Sequence, residues 1–110
     1  MDEAAFDHVA REELRQIEDA FADIDPDAVE VSTSDGVLRF DLRDGTKIVI
    51  NSHRAARQIW MAAIASAWHF DPTPAGTWVA TKTGDELRAK LAQLVRERVG
   101  VVVTFGVPPR

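Results

Sequence analysis

The sequence predicts an α+β fold: a two-layer sandwich in which an N-terminal and a C-terminal helix pack on one face of an antiparallel sheet. Three observations predict it. Apolar residues have helical spacing near both ends of the chain, they alternate in between, and Asp-Gly pairs interrupt the alternation. Because strands and helices do not alternate along the chain, a parallel sheet is not expected. The second face of the sheet would meet solvent.

The first predicted helix is amphipathic. Its apolar residues recur at steps of three and four and form one stripe. They are Phe6, Val9, Ala10, Leu14, Ile17, Phe21 and Ile24. Pro26 lacks an amide hydrogen and disfavours helical geometry at Asp25, so the helix is expected to end at or before Asp25.

Three strands are predicted after this helix, because apolar residues then alternate with polar ones. The alternating residues are Val29 and Val31, then Leu38, Phe40 and Leu42, then Ile48 and Ile50. Asp35-Gly36 and Asp44-Gly45 separate the runs. Asp-Gly favours a two-residue hairpin turn with positive φ at both central residues, so two such hairpins are expected.

The segment 54–67 is ambiguous. Alanines at 55, 56, 62, 63 and 65 favour helix, whereas Ile59, Trp60 and Met61 would suit a buried strand. Propensity alone predicts helix. Short strands are expected at 68–70 and 77–80, on either side of a turn-rich segment.

The last predicted element is a helix followed by an extended tail. Thr83 and Glu86 have the spacing of a capping box, and Gly100 is a typical C-terminal stop. Leucines and a valine between them have helical spacing. The apolar tail 101–105 should pack on the body before Pro108 and Pro109 finish the chain.

Composition restricts the class of protein. A chain of 110 residues with 45% hydrophobic and 28% charged residues is typical of one globular domain, here 1–110. It contains no apolar run of about 20 residues and no secretory signal pattern, so a cytoplasmic protein without a membrane partner is expected. The absence of cysteine leaves carboxylates and three histidines as metal ligands, which favours hard cations.

The negative charge is concentrated at one end. Residues 1–30 contain eleven acids and two arginines, a net charge of -9, whereas the rest of the chain carries +4. This asymmetry disfavours nucleic acid as a partner and favours cations or a basic protein.

Helical rotation predicts where these acids lie. With the apolar stripe buried, Glu12, Asp19 and Asp23 share the opposite face, and Glu18 lies on its flank. Asp25, Asp27 and Glu30 continue the charge past the helix end. We call these seven residues the acidic ridge: Glu12, Glu18, Asp19, Asp23, Asp25, Asp27 and Glu30. A solvated helix face is an equally good interpretation of the charge alone.

Other sites are disfavoured. Asp23, Asp25 and Asp27 match the first positions of a helix-loop-helix calcium site, but Ala28 and Ser34 replace its glycine and glutamate. The three histidines show no ligand spacing, and phosphate loops and hydrolase motifs are absent. The sequence therefore predicts no enzyme. By default Trp60 and its neighbours would be core, and the alternative is an exposed aromatic that anchors a partner.

Short motifs along most of the chain resemble one family. They are Ile17-Glu18-Asp19 with Asp23, Asp25 and Asp27; Gly36-Val37-Leu38; Asp44-Gly45-Thr46-Lys47-Ile48-Val49-Ile50-Asn51; Gln58-Ile59-Trp60; His69-Phe70-Asp71; and Thr83-Gly84. Each motif is weak alone, but together they resemble the bacterial frataxin family of the CyaY type, from Phe6 to Phe105.

The resemblance implies a fold and a function. Gln58 to Ala63 should be strand rather than helix. Members of the family bind iron, Fe2+ or Fe3+, weakly through the positions of the ridge other than Glu12, which helix geometry adds, and other divalent cations are compatible with it. They regulate the cysteine desulfurase complex in iron-sulfur cluster assembly. Asn51, Gln58 and Trp60 would face the scaffold protein, and the chain would be a monomer that iron can oligomerise.

The chain departs from the family pattern at several positions. Ala22 and Ala28 replace frequent acids, so the ridge should hold fewer cations or hold them more weakly. His53 and Ala55 replace a glutamine and a proline near the scaffold-contacting surface. Ser66-Ala67 replaces a glycine pair, which predicts a longer or looser hairpin there. Two functions stay open: an iron-binding regulator and a metal-independent acidic interaction module.

Overall fold

The computed structural model describes residues 1–106 and contains two helices and six strands. In chain order the elements are α1 (Glu3–Ala20), β1 (Val29–Ser34), β2 (Val37–Leu42), β3 (Lys47–His53), β4 (Gln58–Ala63), β5 (Ser66–Pro72), β6 (Trp78–Val79) and α2 (Leu87–Val99). All neighbouring strands pair antiparallel, in the order of the chain. The predicted α+β fold is confirmed.

One apolar core lies between the helices and one face of the sheet. Alternate residues of β2, β3 and β4 and Phe70 of β5 are buried together with the apolar stripes of both helices. The largest fully buried side chains are Phe6, Ile17, Leu38, Phe40, Ile48, Ile50, Ile59, Met61, Phe70, Leu87, Leu91 and Val95. Neither helix in residues 1–106 is long and apolar enough to cross a membrane.

Helix α1 is shorter than its apolar stripe. Asp2 caps its start by accepting a hydrogen bond from the amide of Ala5 at 2.8 Å, and the helix ends at Ala20. Phe21 is buried against Phe40, with ring centroids 4.9 Å apart, but it lies in the following turn. The last apolar residues of the stripe therefore belong to the turn that carries the chain into β1.

The two Asp-Gly pairs form different turns. Asp35 and Gly36 both have positive φ, 50° and 76°, and join β1 to β2 as the predicted two-residue hairpin. The prediction is wrong for Asp44-Gly45, because only Gly45 has positive φ, at 91°. There the loop is longer: Leu42 accepts a hydrogen bond from the Gly45 amide and donates one to Thr46. This is a type I turn followed by a bulge.

The ambiguous segment is a strand. β4 spans Gln58–Ala63, as the resemblance implied, and Ile59, Met61 and Ala63 are buried at period two. The helix prediction from alanine content is wrong because burial on the sheet outweighs local propensity. The predicted looser hairpin is wrong too, since Ala63 pairs with Ser66 across two residues and Ile64 adopts φ 59°.

The edge strands and the second helix differ from prediction in their bounds. β5 is longer than the predicted 68–70, and β6 is shorter than 77–80. The Thr83–Glu86 capping box is wrong: Glu86 itself is the N-cap and accepts from the amides of Arg88 and Ala89. Gly100 ends α2 with φ 71°, as predicted.

The tail packs on the body, as predicted. Val103 is buried, and Val101 and Phe105 pack against the core. The predicted chain end at Pro108 and Pro109 lies outside the described residues.

Candidate functional site

The acidic ridge spans the second half of α1, the turn after it and the first strand. Glu12 is half-buried, and the other six acids are exposed. Because α1 ends at Ala20, Asp23 is not on the helix face that the sequence predicted. Even so, Glu12, Asp19 and Asp23 line one shallow concavity of about 410 Å3. The turn after α1 therefore places Asp23 near Glu12 and Asp19, as predicted, although not on the helix itself.

Arg15 is the internal counter-ion of the ridge. Its Nε donates to Glu12 at 3.1 Å, a second guanidinium nitrogen also binds Glu12, and Nη1 donates to Asp19 at 2.9 Å. The hydrogen bond from Arg15, supported by one from Gln16, lowers the pKa of Glu12 from 4.5 to about 2. The same contact raises the pKa of Arg15. Arg15 lies three residues after Glu12 and four before Asp19, the spacing at which side chains meet on a helix.

The remaining acids of the ridge differ in how tightly they are held. Glu18 accepts a hydrogen bond from the hydroxyl of Thr33, which fixes it above β1. Asp25 accepts from the amide of Asp27 at 2.9 Å and so stabilises the turn. Within residues 1–106 no ion pair involves Asp23, Asp27 or Glu30. All three residues are exposed.

The donor set fits a hard cation that keeps much of its water. All seven ridge residues supply carboxylate oxygen, which suits hydrated divalent ions. In the described part of the chain, no three Asp, Glu or His side chains converge as a metal centre. Within the described residues the ridge is therefore an open charged surface, where a cation would meet its carboxylates one at a time.

The predicted partner-binding residues lie together on the open face of the sheet. Asn51 pairs in register with Trp60, and Gln58 lies two residues earlier on the same face of β4. All three are half-buried. The Trp60 indole donates to the side-chain oxygen of Gln58 at 2.8 Å, and the Gln58 amide donates to Asp71 at 3.1 Å. Trp60 is thus an aromatic on the open face and not a core residue.

Sequence reasoning missed the two imidazoles beside Trp60. The ring of His53 stacks on one face of the indole at 3.9 Å and 14°, and His69 stacks on the other at 4.1 Å and 13°. Only the pairing of strands β3, β4 and β5 could have revealed these contacts. Trp60 pairs with His69, and Gln58, two residues before Trp60, pairs with His53. The residues themselves left 54–67 open between helix and strand, so the pairing of this segment with its neighbours could not be predicted from them.

The comparisons with known sequences agree on one family. The family model described as "Frataxin-like domain" matches residues 1–101. The chain is 35% identical over 109 residues to a protein of Cupriavidus necator, covering 96% of this chain and 97% of that protein. It is 33% identical over 104 residues to one of Azotobacter vinelandii, covering 94% of each. Both relatives are named iron-sulfur cluster assembly protein CyaY.

Two solved structures share the architecture. Frataxin from Psychromonas ingrahamii has a TM-score of 0.89 and covers 97% of this chain and 100% of its own, and at 22% identity it supports the fold alone. Trimeric frataxin from the yeast Saccharomyces cerevisiae, complexed with ferrous iron, has a TM-score of 0.59 at 27% identity. It covers 92% of this chain and 88% of its own.

Proposed function

This chain belongs to the frataxin-like family, and on that premise we propose that it is an iron-binding regulator of iron-sulfur cluster assembly. It docks on the cysteine desulfurase complex through the acidic ridge and acts as a regulator rather than as a catalyst. The observation that carries the proposal is a one-sided surface of seven carboxylates, six of them exposed, whose ion pairs within residues 1–106 all come from Arg15. We propose that the protein acts in the cytoplasm.

Iron would be held weakly by the ridge. Asp23, Asp27 and Glu30 are free of ion pairs within residues 1–106 and would bind a hydrated Fe2+ or Fe3+ first, while other divalent cations would compete. Arg15 would oppose binding at Glu12 and Asp19, because a cation there must displace its guanidinium. Neutralising neighbouring carboxylates removes their mutual repulsion, so bound ions would also stabilise the fold.

The same charge would direct protein docking. A negative ridge steers a basic patch of the desulfurase and makes binding sensitive to salt. The scaffold protein would meet the open sheet face, where Asn51, Gln58 and Trp60 lie side by side. The free chain would be a monomer that iron can assemble, and the trimeric yeast relative supports that second state.

A second candidate is an acidic interaction module for which metal is incidental. It is favoured by one observation: no three potential ligands converge within residues 1–106. In that case the ridge would serve the desulfurase alone. Iron would then not change the effect of the protein.

Turnover of the desulfurase, measured with and without Fe2+, separates the two candidates. The regulator predicts that iron changes the effect of the wild-type chain on turnover, and the module predicts no change. The double variant Asp19→Lys with Asp23→Lys should lose binding in both cases. Glu97→Lys is the matched control, since Glu97 is an exposed acid on α2 that is not one of the ridge acids. Docking elsewhere is indicated if the ridge variant binds as tightly as this control.

A further inference from the structure

Trp60 stands edge-on on the open face because an imidazole covers each side of its ring. The ring spacings of 3.9 Å to His53 and 4.1 Å to His69, with interplanar angles of 14° and 13°, are those of face-to-face stacking. Its indole N–H is held by Gln58, which in turn is held by Asp71. A partner therefore meets the edge of the indole and two imidazoles, not an open aromatic face.

His53 is fixed by a contact that needs its neutral form. Its Nδ1 accepts a hydrogen bond from the backbone amide of Ala56 at 3.3 Å. An imidazole nitrogen accepts only while it carries no proton, and histidine changes charge between pH 5 and 8. Protonation would place two N–H donors against each other and remove the bond that holds the ring over Trp60.

Few charged groups near His53 would influence its protonation. β4 carries no charged side chain, and on β5 Asp71 lies two residues beyond His69 on the same face and is bonded to Gln58. Arg54 and Arg57, in the loop after β3, form ion pairs with acids of α1. The two imidazoles lie about 8 Å apart across the indole, so protonating both adds repulsion. Attraction between an imidazolium and the indole acts in the other direction but does not restore the lost acceptor.

We propose that His53 and His69 are positioning residues that clamp Trp60 edge-on for partner contact, and that protonation of His53 opens the clamp and weakens that contact. The clamp belongs to the free protein. The role of the clamp in partner contact rests on the proposed function, in which the scaffold protein binds the open sheet face.

The clamp is tested on the chain alone by following the indole N–H signal of Trp60 by NMR from pH 8 to pH 5.5. Trp60→Phe assigns the signal among the three tryptophans. We expect it to move with protonation in the wild type and to move much less in His53→Gln, whose amide oxygen can still accept from Ala56, because only His69 then lies against the indole. His8→Gln is the control, because His8 is an exposed histidine on α1. A flat wild-type signal, or a full curve in His53→Gln, overturns the clamp.

The contact is tested by binding of the scaffold protein at pH 8 and pH 6. Wild-type affinity should fall about three- to ten-fold on acidification, which is the effect of losing an aromatic stack. The affinity of His53→Gln should change less than two-fold, and His69→Gln should bind more weakly at both values. If the NMR curve appears but the scaffold binds at neither pH, the clamp stands and the docking in the proposed function fails. Equal pH dependence in the wild type and His53→Gln overturns the role of the clamp in binding.

Discussion

Glu13 on α1 and Arg88 on α2 form a two-point ion pair that joins the two helices. Nε of Arg88 lies 2.8 Å from one carboxylate oxygen, and Nη2 lies 2.7 Å from the other. The Glu13 side chain is only 6% exposed and that of Arg88 20%. Arg88 also donates to Gln16 and lies over the ring of Phe105, 5.5 Å from its centroid. One guanidinium thus connects both helices and the tail, and Glu13 raises its pKa.

Glu13→Gln should destabilise the fold by about 1 to 3 kcal/mol, because it leaves a partly buried guanidinium without its counter-ion. Urea unfolding measures the difference. The matched control is Glu97→Gln, which changes an exposed glutamate on α2 and should cost less than about 0.5 kcal/mol. Equal effects of the two variants would mean that the ion pair contributes no more than a surface charge.

The Glu12 carboxyl should titrate near pH 2, since Arg15 lowers its pKa to about 2. The folded pKa lies below the ordinary 4.5, so the stabilising contact is complete above about pH 4.5 and is lost as the pH falls through 2. Carboxyl chemical shifts measure this titration. Arg15→Gln should return the Glu12 pKa toward 4.5, whereas Arg11→Gln, on the same helix, should leave it low. An unchanged Glu12 titration in Arg15→Gln would contradict the assignment.

Removing the internal counter-ion should strengthen cation binding. Arg15→Gln frees oxygens of Glu12 and Asp19, and we expect Fe2+ affinity to rise roughly two- to five-fold under anaerobic conditions, the range of a lost surface ion pair. Calorimetry measures the affinity. Arg11→Gln removes the same charge from the same helix, and within residues 1–106 Arg11 forms no ion pair with a ridge acid. If both variants gain equally, overall charge and not local release is the cause.

Ile64 is strained in the β4–β5 turn. It is a β-branched residue at φ 59°, and its side chain is 63% exposed, so little packing offsets the strain. Ile64→Gly should therefore raise the free energy of unfolding by about 0.5 to 1 kcal/mol. The neighbouring Ala65 does not have positive φ. Ala65→Gly, the control, should lower the free energy of unfolding or leave it unchanged. A lower free energy of unfolding in Ile64→Gly would show that the contacts of the Ile64 side chain stabilise the fold by more than the backbone strain destabilises it.

Local patterns predicted most of the fold. The stripe from Phe6 to Ile17, the alternation in β2 and β3, the Asp35-Gly36 hairpin and the stop at Gly100 were all readable, because each depends on neighbours within a few residues. The outward direction of Glu12 and Asp19 followed from the same stripe. Their pairing with Arg15 needed only helical spacing.

Tertiary contacts account for the rest. β4 is strand because Ile59 and Met61 are buried on the sheet, although its alanines favour helix. Glu13 interrupts an apolar stripe, and only Arg88, 75 residues away, makes its burial tolerable. The stack around Trp60 depends on the register of three strands. The Glu13–Arg88 pair and the stack leave no short-range pattern in the sequence, and in β4 the apolar alternation competes with the alanine content.

Cation binding at the acidic ridge is tested most directly by titrating the 15N-labelled chain with Fe2+ under anaerobic conditions. Paramagnetic broadening should begin at backbone signals of Asp23, Asp27 and Glu30, the ridge acids whose side chains form neither an ion pair nor a hydrogen bond within residues 1–106, and extend to Glu12 and Asp19 as iron is added. Signals of the open sheet face should stay sharp. Broadening that begins at His53 or His69 and spares the ridge would contradict the assignment of the iron site.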